Sequence, residues 1–339
     1  MLIAAQDINI AITGKCKTIV TLDLQLYAKC MQMRENQFIK DNFVFRLGEL
    51  HTVFAFLKVI GKYMNGSGID RLLTEADIYN QPAIDQIIDG NHMKRAIEAH
   101  MIIYLALWRV LLDRFFVEFP NESQQMKEQV DGIVNYSLDK ITKSSFEKSV
   151  TALSANGSFF ESLKSFDDGL SQQSLYLRKF MKMFELLLQF IRANRQEDWE
   201  LHLTTLNAMI PYFFAHDQLN YARLSPLYLA TTYDLQHNDH ESWNYLKNNF
   251  SINKSGITFC SLGSDHALEQ ENRTLKVLGG IKGLGQNPCA LYRICLIAPS
   301  LNDISNAFCE EFNIKTSSKE AHYQLTGCLL YTSPSPRDS

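Results

Sequence analysis

No pair of cysteines spaced C-x-x-C occurs in this chain, which removes the zinc ribbon and the thioredoxin-type redox site together. The seven cysteines in 339 residues are scattered, and no secretory leader is expected. Thiols in that pattern are expected to be reduced, in an intracellular protein, nuclear or cytoplasmic. An excess of basic residues is also lacking: the net charge is −4, so no global field draws nucleic acid toward the surface. A DNA-binding role then needs a local patch or a separate basic domain. Long uninterrupted apolar runs are absent too. The most apolar stretch, His100 to Phe116, carries Arg109 and Asp113, both costly in lipid, so it reads as a buried helix and no membrane partner is expected. No P-loop, Rossmann fingerprint, GxSxG elbow or HExxH motif is present. The Gly-rich runs Asn65–Gly68 and Gly279–Gly285 have the wrong spacing for nucleotide and read as turns. No internal repeat occurs.

What is present is apolar residue, at 46%, enough for a packed core. The opening residues look strand-like. Lys17–Leu22 is β-branched and apolar on both faces, as in a buried strand of a covered sheet. Asn42–Leu47 predicts a second short strand. Helices are predicted over Leu24–Met33 and Glu49–Met64, then through a long all-helical block: Ala83–Ile88, His92–Phe116, Ser123–Ile141, Ser171–Asn194, Trp199–Ile210 (stopped by Pro211) and Tyr221–Leu235, with Pro226 near its start. Gly157–Gly169 reads as a softer linker. Ile252–Cys260 is expected to be extended, Asp265–Leu278 helical, and Asn302–Phe312 the last helix. Strands alternating with helices, then an all-helical block, then an acidic helix form the order of an α/β sheet domain interrupted by a large helical insertion. The expected divisions are 1–64 for a partial α/β core, 65–250 for the insertion, 251–312 for the return to the core and 313–327 for a tail.

Few residues offer chemistry. Asp23 follows a buried strand, where a carboxylate faces the crevice of an α/β sheet and can hold a metal; it equally suits the N-cap of the helix starting at Leu24. Asp265 and Glu269 stand at i and i+4, on one helix face. They could share a metal ion, or simply form a solvated face with Asp265 near the N-cap. Two-metal phosphoryl transfer requires carboxylates that hold Mg²⁺ ions about 3.5–4 Å apart. His51 and His202 are lone helical histidines, each compatible with a structural role. His237, Asp239 and His240 look like a metal cluster, but they sit in what reads as a polar loop.

Two resemblances bear on the reading. The run Cys328–Ser339 resembles one translated frame of a transposon-based sequencing-library adapter, so residues 328–339 are treated as an artefact and set aside. Secondly, an ordered set of motifs resembles an uncharacterised, transposon-like repetitive family of animal genomes over nearly all of residues 17 to 312. Thr21-Leu22-Asp23-Leu24-Gln25-Leu26-Tyr27 resembles its T-F-D-Q-P-L-Y, and Leu47-Gly48-Glu49-Leu50-His51-Thr52 its L-G-G-F-H-T. Ile60 to Ile69, Arg192 to Leu203, Pro211-Tyr212-Phe213, Tyr221-Ala222-Arg223, Asp265 to Gln270 and Lys276 to Ile281 follow in the family's order. Leu24, Gln25, Glu49 and Leu50 depart from its pattern.

That family's layout resembles the RNase H-like cores of hAT and Mutator-like transposases. The resemblance implies a truncated RNase H-like sheet domain with a large helical insertion, predominantly helical overall. It implies Mg²⁺-dependent DNA strand cleavage and transfer, with Asp23 and Glu269 as metal ligands, Asp265 as a further catalytic candidate and His51 as a histidine beside them. DNA is the implied partner. The first acidic residue of such a core is expected upstream of Asp23, where only Asp7 stands, so the piece is expected to be inactive by itself. The alternative is a non-enzymatic helical module that docks DNA or protein. Oligomeric state is not legible.

Overall fold

The computed structural model describes residues 2–14, 17–33, 36–124, 126, 157–277, 292 and 296. The elements in order are α1 (Leu2–Thr13), β1 (Thr18–Leu22), α2 (Leu24–Gln32), α3 (Gln37–Asn42), β2 (Phe43–Leu47), α4 (Glu49–Met64), α5 (Ile69–Glu75), α6 (Gln81–Ile88), α7 (Met93–Glu118), α8 (Gly157–Asp168), α9 (Gln172–Gln196), α10 (Trp199–Ala215), α11 (Leu219–Asn238), α12 (His240–Asn248), β3 (Ser251–Ile252), β4 (Leu262–Gly263) and α13 (Ser264–Val277). Helix dominates, and strands are few and short.

Both long strands lie where strands are expected, β1 within the β-branched run Lys17–Leu22 and β2 within Asn42–Leu47. They pair in parallel, Thr18 opposite Phe43 through Leu22 opposite Leu47, and the chain crosses between them through α2 and α3. Asp23 caps α2 by accepting from the Leu26 N–H, and Asn36 caps α3 by accepting from Phe38 and Ile39. Each cap satisfies donors that the first helical turn leaves unpaired. A two-stranded parallel pair is far less than the covered sheet expected of an RNase H-like core. The described residues add only the separate antiparallel β3–β4 pair.

The contacts divide the chain into two compact units, residues 1–98 with 185–339, and residues 99–184, with the boundaries falling inside α7 and α9. In the first unit the core is aromatic and aliphatic: Tyr27, Phe56, Leu57, Ile60, Leu203, Met209, Phe213 and Tyr228 are all buried. Phe56 meets Phe213 edge-on at 5.6 Å between centroids, and Tyr27 meets Tyr228 at 6.2 Å. Burying each such ring contributes roughly 1.5–3 kcal/mol. α4 and α6 approach so closely that a Cβ at Gly61 would overlap the backbone of Ile88. The second unit has its own cluster, Phe115, Phe159, Leu163 and Phe166.

Several expectations are corrected. The opening residues form a helix, α1, not a strand; apolar residues spread round it, so no period marks it as helical. Gly157–Gly169 is no linker but α8, because Phe159, Leu163 and Phe166 recur at i, i+4 and i+7 and make a buried stripe that Gly157 and the serines obscure. Pro211 does not stop α10, and Pro226 lies well inside α11. Of Ile252–Cys260 only the first residue is strand; Gly256 and Phe259 take positive φ (66° and 69°) and turn the segment back. Cys30 is a buried free thiol. Most of the helix expected over Ser123–Ile141, the helix over Asn302–Phe312, the Gly279–Gly285 run and the adapter-like tail lie outside the described residues. Among the described residues no helix is long and apolar enough to cross a membrane.

Candidate functional site

β1 and β2 end side by side at Leu22 and Leu47, and the Gly48 N–H donates to the Leu22 carbonyl at 2.9 Å. Each strand passes directly into a helix, so the first residues after the strands gather at one end of the pair. Asp23 is exposed there, with one carboxylate oxygen 2.8 Å from the Leu26 N–H. α4 begins one residue after Gly48, which carries no side chain to cap it. The cap comes from α13, more than two hundred residues away in sequence. Asp265 Oδ2 accepts from the Leu50 N–H at 2.9 Å and the His51 N–H at 3.4 Å, and lies 3.2 Å from His51 Nδ1. A Cβ at Gly48 would overlap Asp265 Oδ2, so only glycine lets the carboxylate reach the helix end. Gly263 plays a similar part across the site, since a Cβ there would come within 2.8 Å of Glu49 Oε2 and 3.1 Å of Asp265 Oδ1.

The charges converge on His51. The hydrogen bond to Asp265 raises its pKa above the ordinary 6.5, burial opposes this, and the charges of Asp265, Glu269 and Asp23 add to the rise. Three carboxylates, from the end of β1 and from one face of α13, therefore lie within electrostatic reach of one imidazole. For Asp265, burial taken alone would raise the pKa, but the hydrogen bonds from His51 and from the Leu50 N–H outweigh it and hold the carboxyl below its ordinary value. Tyr221 completes this wall: burial pushes its phenol up, and the charges of Asp265 and Asp23 push in the same direction, against a hydrogen bond with Thr52.

Beneath the site lies a buried ion pair, Arg46 with Glu49, both almost fully enclosed. Arg46 also donates to the Phe250 carbonyl at 2.8 Å. His202 packs between Trp199 and Phe190, its ring centroid 5.5 Å and 5.0 Å from theirs. Burial first, and Arg46 second, lower its pKa to about 3, so it is a neutral core histidine.

The profile of one family covers almost this entire sequence: DUF8702, described as a domain of unknown function, matches residues 1–328. The chain belongs to the DUF8702 family. The match stops where the adapter-like run begins. No curated protein and no solved structure matches the chain.

In this DUF8702 chain the residues singled out in the sequence meet different fates. Asp265 contacts His51 directly, Asp23 and Glu269 lie within electrostatic reach of the same imidazole, and Asp265 and Glu269 share a face of α13. Among the described residues, however, no three His, Cys, Asp or Glu side chains stand close enough together to hold a metal ion in common. Asp265 is occupied as the cap of α4, and Asp23 caps α2. His237, Asp239 and His240 are not a loop cluster: Asp239 caps α12 through the Ser242 N–H and pairs with Lys17. Sequence reasoning missed the Arg46–Glu49 pair, Tyr221 and the two glycine cradles. The signal available for the cradles was Leu-Gly followed at once by a helix with an acidic first turn, which occurs at both Leu47-Gly48-Glu49 and Leu262-Gly263-Ser264-Asp265.

Proposed function

We propose that the end of the β1–β2 pair is a reduced carboxylate centre of transposase-like, Mg²⁺-dependent DNA strand cleavage and transfer, inactive in this chain as it stands. The observation that carries the reading is the convergence of Asp23, Asp265 and Glu269 on His51 beyond the C-terminal ends of two parallel strands, the place where α/β sheets present their ligands. Mg²⁺ is commonly held by one or two carboxylates, with water and substrate phosphate completing its octahedron. Asp23 and Glu269 suit that role, with His51 beside them. Asp265 shapes the wall by fixing the start of α4. Such a set falls short of the ligands that two ions need, which is why cleavage is not expected.

The engagement of Asp265 and Asp23 as helix caps favours a second reading, a non-enzymatic helical module that docks DNA or protein. A nicking assay on supercoiled DNA with Mg²⁺ or Mn²⁺, run beside a gel-shift assay on the same DNA, separates the two. The first reading expects no nicking by the chain, and cleavage once it is joined to the upstream region of an intact family member; that cleavage is lost in Asp23→Asn and Glu269→Gln. DNA retention without any cleavage, unchanged by either substitution, would support the docking module instead.

A further inference from the structure

A cavity of about 40 Å³ opens between α4, α7, α9 and the β4–α13 junction, entirely within the first unit. It uses none of Asp23, His51, Asp265 or Glu269. At roughly 10–15 Å³ for each water-sized position, it has room for about three waters or one ligand of a few heavy atoms.

Its walls are of two kinds. Val53, Ile97 and Ile191 make an aliphatic side. Glu49, Asn194 and Arg195 make a polar side, each less than a tenth exposed. The Glu49 carboxylate is divided: Oε1 binds Arg46, while Oε2 is buried, lies beside the cavity-lining Gly263 and has no hydrogen-bond partner among the described residues. Asn194 Oδ1 is in the same condition. A buried carboxylate oxygen without a donor is costly, on the order of 1–3 kcal/mol or more, so the site calls for an N–H or O–H. Arg195 brings a positive charge and several donors to the same space, which opposes an ammonium ion and calls for an acceptor on the ligand. Glu49 likewise opposes a carboxylate. The complement of all three is a small neutral group with donor and acceptor side by side and a short apolar end.

From these walls we infer that the cavity is a binding site for a primary carboxamide. The two amide N–H groups donate to Glu49 Oε2 and Asn194 Oδ1, the amide oxygen accepts from Arg195, and the alkyl end lies against Val53, Ile97 and Ile191. A free small amide and the side chain of an asparagine or glutamine on a partner both offer this chemistry. The inference does not depend on the carboxylate centre being catalytic.

The test is ligand-observed NMR on the full chain with acetamide, using acetone and acetate as matched probes. For so few heavy atoms, the ceiling of about 1.5 kcal/mol per atom makes millimolar affinity a reasonable expectation. Acetamide is expected to bind at least tenfold more tightly than acetone, which lacks the donor, or acetate, which adds charge. Val53→Phe, filling the aliphatic side, and Asn194→Leu, removing the free amide oxygen, are each expected to weaken binding tenfold or more with an unchanged circular dichroism spectrum. Two variants on opposite walls keep the test open should one fail to fold. A glutamine-containing tripeptide that binds more tightly than acetamide identifies a side-chain ligand, and one that binds more weakly identifies a free amide. Equal binding of all three probes, or none of acetamide, overturns the inference and leaves the cavity to ordered water.

Discussion

Asp265 is the residue on which the local structure turns. It closes the first turn of α4 from outside that helix, so its removal leaves the Leu50 and His51 N–H groups without their acceptor. Asp265→Ala is expected to lower stability by about 1–3 kcal/mol, read as a shift in the midpoint of denaturant unfolding at constant slope. Gly48→Ala is expected to do the same by displacing the carboxylate. An Asp265→Ala protein as stable as the parent would mean that the cap contributes nothing.

Protonation at single residues also sets the response to pH. Burial lowers the pKa of His100 and His202 to about 3 and of His266 to about 4, from an ordinary 6.5. Below pH 6.5 the unfolded chain takes up protons that the folded chain refuses, so stability rises with pH between about 4 and 6.5. His51 has the opposite sign. Its folded pKa lies above 6.5, so its contribution is complete below 6.5 and is lost as pH rises through the folded value. Denaturant unfolding at several pH values from about 4 to 9 should give a maximum near neutrality, with His51→Ala flattening only the alkaline side. A profile flat across the acid limb would contradict the burial of the three histidines.

At the scale of elements, prolines mark where tertiary packing overrides local preference. Pro211 lacks the N–H that would continue the α10 ladder, yet α10 runs on to Ala215 because Met209 and Phe213 on either side are fully buried. Pro211 itself is exposed. Pro211→Ala is therefore expected to restore a hydrogen bond without losing core contact and to raise stability by about 1 kcal/mol or more, measured by thermal unfolding. A fall would show that the ring packs productively.

The same contrast explains how much could be read in advance. β1, β2, α4 and α13 were legible because their patterns are strong: a β-branched run apolar on both faces for β1, a short run ended by Gly48 for β2, apolar residues at helical spacing for α4, an acidic helix bounded by glycines for α13. α8 was not, because its apolar stripe is diluted by glycine and serine. α1 was not, because its apolar residues follow no period. In the candidate site the types and positions of Asp23, His51, Asp265 and Glu269 could be read, and so could the capping role open to Asp23. That Asp265 caps α4, a helix far away in sequence, could not, since a cap supplied across the fold leaves no local spacing. The Arg46–Glu49 pair was hidden for a related reason. At i, i+3 across a strand–helix junction it looks like two surface charges, and only the fold buries it.

At the scale of the whole molecule, two units with separate aromatic cores share the chain, and the carboxylate centre lies wholly within the unit built from its first and last parts. That unit brings Asp23 from the first part of the sequence and Glu269 from the last within electrostatic reach of His51, and the proposed function stands on that convergence. The most direct test is Mn²⁺-induced line broadening in the amide NMR spectrum of the full chain, since a paramagnetic ion broadens only its neighbours. Broadening confined to residues around Asp23, Gly48–Thr52 and Asp265–Glu269, and abolished in Asp23→Asn and Glu269→Gln, is the predicted result. Broadening centred elsewhere, or unchanged by both substitutions, would contradict a metal-binding carboxylate centre at this end of the strands.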